Sequence, residues 1–127
     1  VKIWDLETGE QRFSLKTDTV FVMCVSLSSD GKKLAVPLDS IVKIWDLDSG
    51  KQILSLEGHT ESVMSVAFSP DGKRLATIAL DMSAKIWDLQ SGKQTLSLNP
   101  HYCITSVAFS PDSKKIATGS CEWNTRK

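Results

Sequence analysis

The chain has 127 residues, 41% hydrophobic and 24% charged, which is the length and composition of one ordinary globular domain. Its 15 basic side chains balance 15 acidic ones, so there is no electrostatic footprint for nucleic acid or an anionic membrane. The longest strongly apolar run, Val20–Val25, is six residues, against the roughly 20 that a membrane-crossing helix needs.

Residues 1–6, VKIWDL, predict a short strand, with Ile3 and Trp4 supplying β-propensity. Glu7-Thr8-Gly9 turns the chain into a second strand, Gln11–Leu15. A dense apolar strand is predicted over Val20–Leu27, then the phrase SSDGKKLA at 28–35. VKIWDL returns at 42–47, with a turn at Asp48-Ser49-Gly50 and a strand at Gln52–Leu56. Ser62–Phe68 carries no charge on either face, which marks a strand buried on both. Ser69-Pro70-Asp71-Gly72 has the residues of a type I turn and leads to Leu75–Ala79. A turn at Leu80-Asp81-Met82 delivers AKIWDL at 84–89, then Gln90-Ser91-Gly92 and Gln94–Leu98. Ile104–Phe109 and the phrase SPDSKKIA at 110–117 close the pattern. About twelve strands are expected and no helix, because no apolar period of 3.6 runs through three turns.

Trp4, Trp45 and Trp87 are 41 and 42 residues apart, and the SSDG, SPDG and SPDS phrases keep the same beat. Two phrases with one period define an internal repeat. The period and the Trp-Asp pair resemble the WD40 repeat, with units at about 1–41, 42–83 and 84–127. The resemblance implies an all-β propeller segment, about three blades' worth of four-stranded antiparallel sheets. Counted by strands, residues 1–15 supply two outer strands of a blade and 104–119 two inner strands of another. Propellers close with about four to eight blades, so an open fragment of a larger propeller is expected. Open strand edges recruit strands, so head-to-tail self-association is expected too.

Resemblance to the family also implies a structural tetrad in the middle copy. Trp87 would donate to Thr77, Thr77 would bond His59, and His59 would bond Asp81. The first copy keeps Asp39 and Trp45, but Thr17 and Asp18 stand at the Gly-His positions. Ala35 stands where Thr is usual, the strand before Asp39 reads one residue shorter, and Pro37 lies near its end. The third copy has His101 and Thr118, with Glu122 in place of Asp and the Trp past the last residue. A Thr, a His and an Asp also spell a hydrolytic triad, but a hydroxyl buried against an indole is no nucleophile. His101, Cys103 and Cys121 fall short of a four-ligand zinc site. Three cysteines without regular spacing form no disulfide framework, which favours a reducing, cytoplasmic location.

The sequence contains no HExxH, GxSxG or phosphate-binding glycine loop, so neither enzyme activity nor a cofactor is expected. The tetrad end of the barrel is a frequent partner surface in the family. Leu38, Leu80, Met82, Tyr102 and Trp123 flank the turn carboxylates or the second His, where polar residues are usual. Gathered on one rim, they would form an apolar patch for a protein or peptide partner. The expected function is a non-catalytic interaction scaffold. The alternative is a regulatory propeller segment of a larger enzyme, such as a kinase or protease, whose catalytic domain lies outside this chain.

Overall fold

The computed structural model describes residues 1–16, 22–99 and 103–121. Among them the regular structure is entirely β. The strands are β1 (Lys2–Trp4), β2 (Gln11–Ser14), β3 (Ser26–Leu27), β4 (Lys33–Leu38), β5 (Ile41–Asp46) and β6 (Lys51–Glu57). They continue as β7 (Val63–Phe68), β8 (Arg74–Ala79), β9 (Ala84–Asp88), β10 (Lys93–Leu98), β11 (Cys103–Phe109) and β12 (Ile116–Cys121). Strands β3 to β6 form one four-stranded antiparallel sheet and β7 to β10 another, while β1–β2 and β11–β12 are two-stranded. Every strand pairs with its chain neighbour, as short turns require. Among the described residues the four sheets do not close into a ring.

The turns explain the meander. Gly72 N–H donates to the Ser69 carbonyl at 2.9 Å, the i to i+3 bond of a tight turn. Ser69 Oγ donates to Asp71 at 2.6 Å and accepts from Arg74 N–H at 2.9 Å, so one hydroxyl sets both sides of the turn. The Ser28 and Ser110 turns repeat this arrangement. Gly72 sits at φ +74°, a conformation that costs a residue with a Cβ about 1–2 kcal/mol.

The core lies between the sheets. Ala35, Val42, Ile44 and Leu56 of the first four-stranded sheet pack against Val63, Val66, Phe68, Leu75 and Trp87 of the second. Ile78 and Ala84 of the second pack against Ile104 of β11. Central strands β4 and β8 are therefore covered on both faces, which is why they hold apolar and small residues in unbroken runs. Outer strand β10 is exposed throughout and reads correspondingly polar.

Two expectations for the first copy need correction. Among the described residues of Val20–Leu27, only Ser26–Leu27 is strand; residues 22–25 run outside the ladder. Ser26 pairs with Ala35 and Leu27 with Leu34. Continued along the strand, that register would set Cys24 against Pro37, which has no N–H to give. Cys24 bonds sideways instead: its Sγ accepts from Val66 N–H of the neighbouring sheet at 3.2 Å.

The second correction concerns the missing residue. Strands β4 and β8 are both six residues long, so the strand is not shortened. Pro37 pairs with Val42, and Leu38 with Ile41, leaving a two-residue turn of Asp39 and Ser40. In the second copy Ile78 pairs with Ala84 and Ala79 N–H donates to the Ser83 carbonyl at 3.2 Å, leaving a three-residue turn of Leu80, Asp81 and Met82. The deletion sits in the turn.

Candidate functional site

Four side chains from two strands and two connections meet at one end of the second four-stranded sheet. Trp87 comes from β9, Thr77 from β8, Asp81 from the turn between them, and His59 from the link between β6 and β7. Thr77 is completely buried. Trp87 Nε1–H donates to Thr77 Oγ at 2.9 Å, and Thr77 Oγ lies 2.6 Å from His59 Nε2. His59 Nδ1 lies 2.9 Å from Asp81 Oδ2.

These contacts fix the proton arrangement. An indole can only donate, so Thr77 accepts from Trp87 and has its own O–H to give to Nε2. Nε2 is then the acceptor, and Nδ1 carries the hydrogen that goes to the carboxylate. Burial holds the imidazole pKa below its ordinary 6.5, against the opposing hydrogen bond and charge of Asp81, so the ring is neutral near pH 7.

Asp81 is the most heavily bonded group at the site. Its Oδ2 accepts from His59 and from Thr60 N–H at 3.1 Å. Its Oδ1 accepts from Ser83 N–H at 3.0 Å and from the Ser83 hydroxyl at 2.5 Å. Burial alone would raise the carboxyl pKa; the bonds from Ser83, His59 and Thr60 outweigh it and bring the group from 3.8 down to about 2. Ser83 is a member of the network that the sequence reading missed. The signal was present: a Ser two residues after an Asp, on a turn, is placed to bond back to it.

The turn that carries Asp81 is held in an unusual shape. Met82 has φ +65°, uncommon for any residue with a Cβ, and its N–H donates to the Ala79 carbonyl at 3.2 Å. On either side of the clamped carboxylate, Leu80 is 48% exposed and Met82 is 49% exposed.

The first copy differs. Strand β5 places Trp45 opposite Leu34, as β9 places Trp87 opposite Leu75. Two residues on from Leu75 is Thr77; two on from Leu34 is Val36, and not Ala35, so Val36 takes the Thr position. A methyl stands where the hydroxyl should be, and the buried Trp45 Nε1 has no hydrogen-bond partner among the described residues. Asp39 lies in the two-residue turn at φ +56°, and its carbonyl accepts from Val63 N–H at 2.7 Å. Leu38, a candidate rim residue, is the last residue of β4 and half-buried, so it does not stand out beside Leu80 and Met82.

In the third copy Thr118 lies exposed on β12, opposite Val107. His101, Tyr102, Glu122 and Trp123 lie outside the described residues, as do Thr17 and Asp18. No group of three or more His, Cys, Asp or Glu side chains is placed to hold a metal ion among the described residues. Among the described residues no helix is long and apolar enough to cross a membrane.

Antiparallel four-stranded sheets packed face to face at a 41–42-residue period, with a buried Trp–Thr–His–Asp chain at one end, define a repeat protein built of propeller blades. The family model "WD domain, G-beta repeat" matches residues 9–46, 50–88 and 92–125, so the chain belongs to the WD40-repeat family. No curated protein matches it. WD40 repeats generally mediate protein–protein interactions and are generally non-catalytic scaffolds.

Proposed function

We propose that this chain is a non-catalytic interaction module whose tetrad rim receives a protein or peptide partner. One observation carries the reading: two apolar side chains, Leu80 and Met82, stand half-exposed on a turn whose central carboxylate accepts four hydrogen bonds. A rigid turn presents them without the ordering cost that a mobile loop would bring to binding. Apolar side chains held rigidly at a surface are the kind of contact that carries interface affinity. The Thr77 hydroxyl, by contrast, is sealed from solvent and engaged on both sides, which leaves it nothing to attack.

The test is a double variant, Leu80→Asp with Met82→Asp. Both side chains are half-exposed, so the urea midpoint should stay within about 0.5 kcal/mol of the parent's equivalent. Immobilised wild-type chain should retain partner protein from a lysate, and the double variant should lose it. Undiminished retention by the double variant would move the binding surface elsewhere, for instance to the opposite end around the Ser69–Gly72 turn.

A further inference from the structure

The three cysteines are irregularly spaced along the chain, but the ladder sets two of them opposite one another. Cys103 opens β11 and Cys121 closes β12, and the two are Cα partners across the pair. Cys121 is exposed and carries a free thiol. Cys24 lies elsewhere, in the first copy, half-buried, with its Sγ accepting from Val66 N–H at 3.2 Å.

The second copy shows what kind of position this is. The ladders β7–β8 and β11–β12 each break register once, at the same step: between Val63 and Ser65 in one, between Ile104 and Ser106 in the other. Beyond the break Val63 pairs with Ala79, and Ile104 with Ser120. One residue further out stand Ser62 and Leu80 in the second copy, and Cys103 and Cys121 in the third. Leu80 N–H donates to the Ser62 carbonyl at 2.9 Å, and both residues are exposed at the tetrad end. Residues opposed in a hydrogen-bonded pair share one face of the sheet, with Cα atoms about 5.5 Å apart. A disulfide spans Cα separations of roughly 4.4–6.8 Å. The ladder therefore holds residues 103 and 121 at a spacing that a disulfide bridges. In the second copy the segment entering β7 and the turn leaving β8 are tied by Asp81, which accepts from His59 and from Thr60 N–H. A bond between residues 103 and 121 would tie the start of β11 to the end of β12 covalently.

We infer that Cys103 and Cys121 are a reversible disulfide site, oxidised by low-molecular-weight disulfides, that locks the end of the β11–β12 pair away from the Ser110 turn. The Cys121 thiolate attacks one sulfur of the oxidant. The oxidant's S–S bond breaks, a mixed disulfide forms on Cys121, and one thiolate leaves. The Cys103 thiolate then attacks the Cys121 sulfur, forming the protein S–S bond and releasing the second thiolate. The protons given up by the two cysteines pass to the two released thiolates, so the protein loses two electrons and the oxidant gains them. In a reducing compartment such a bond is transient, forming as the disulfide pool rises and lost as it falls.

The test uses the 127-residue chain equilibrated with reduced and oxidised glutathione over a range of ratios. The remaining thiols are alkylated and the chain is digested with trypsin, which cuts between the two cysteines at Lys114 and Lys115. The expected product is residues 94–114 joined to 116–126, lost on reduction, with Cys24 alkylated. Half-oxidation should fall at a glutathione ratio about tenfold more reducing in the folded chain than in urea, because folding holds the two residues opposite one another. By the same cycle the oxidised chain should unfold at a higher urea concentration than the reduced one. Cys24→Ser should leave the midpoint unchanged. Cys121→Ser, at an exposed position that tolerates the change, should remove the linked product. A bond that forms no more readily in the folded chain than in urea, a folded chain that stops at the glutathione adduct of Cys121, or Cys24 in the linked product would each overturn the inference.

Discussion

Replacing Thr77 by Val tests the tetrad with almost no change of shape. The two side chains have nearly the same volume, and the site is fully buried, so no cavity is made. What goes is one oxygen, which lies 2.9 Å from Trp87 Nε1 and 2.6 Å from His59 Nε2. Both nitrogens sit on buried residues and cannot turn to water instead. A buried polar atom left without a partner costs about 1–3 kcal/mol. Among the described residues of the first blade one such atom, Trp45 Nε1 beside Val36, has no partner, which argues for the lower end of that range at the indole. Adding the stranded imidazole gives an expected loss of about 2–3 kcal/mol for Thr77→Val. The reciprocal change, Val36→Thr, gives the Trp45 indole an acceptor and should gain about 0.5–1 kcal/mol, the usual net worth of one hydrogen bond. Urea unfolding at one protein concentration measures both, provided the slope m is unchanged. A Thr77→Val midpoint equal to wild type, or a Val36→Thr that destabilises, would mean that the tetrad hydroxyl does not set blade stability.

Asp81 predicts an acid limb. Its folded pKa of about 2 lies below the ordinary 3.8, so its contribution is full above about pH 4 and fades as pH falls towards 2. Asp81→Asn should lose less stability than wild type across that window; parallel pH profiles would refute this. His59, neutral and buried, acts in the same direction at higher pH, resisting protonation as pH falls below 6.5. Two glycines should respond for different reasons. Gly72→Ala should cost about 1–2 kcal/mol through backbone strain alone, since a Cβ there meets nothing within 4 Å. Gly58→Ala should cost a similar amount through packing, because its Cβ would stand 3.0 Å from Trp87 Cη2, and trimming that ring should relieve the cost. Calorimetric Tm values for the two variants, with and without Trp87→Phe, separate the mechanisms.

Much of this was legible in the sequence, because a repeat repeats its physics. The twelve strands, the turn phrases and the order of the sheets follow from residues that mean the same thing in each copy. What escaped was the consequence of one missing residue in the first copy. Counting back four from Asp39 reaches Ala35, and counting forward from the Ser28 turn reaches Val36. The sequence does not mark where between Lys33 and Val42 the deletion falls. The ladder decides it: shortening β4 would unpair backbone groups against both β3 and β5, whereas a turn can shed a residue and still close. Leu38 differs from Leu80 for the same reason: with the turn one residue shorter, it is the last residue of β4, as Ala79 is of β8. The truncation of β3 was half visible in Pro37, but its partner across the ladder could be named only with the register in hand.

The first two blades thus differ in kind at the rim. In the second, Asp81 takes two hydrogen bonds from its own turn, at Ser83, and two from the segment entering β7, at His59 and Thr60. It ties two loops from different parts of the chain into one rigid edge, and Leu80 and Met82 ride on that edge. In the first, Ile41 stands where Ser83 does, so neither a serine hydroxyl nor the longer turn is there to hold a carboxylate, and no second apolar residue is lifted out beside Leu38. The energy that orders the second rim comes from a network whose deepest member, Thr77, is sealed from solvent. Interior and surface are therefore linked in one direction that matters for binding: loosening His59 or Asp81 disorders the platform under Leu80 and Met82, while replacing Leu80 and Met82 leaves the network intact. On the function proposed above, a partner that bound this rim would sense the state of the tetrad beneath it.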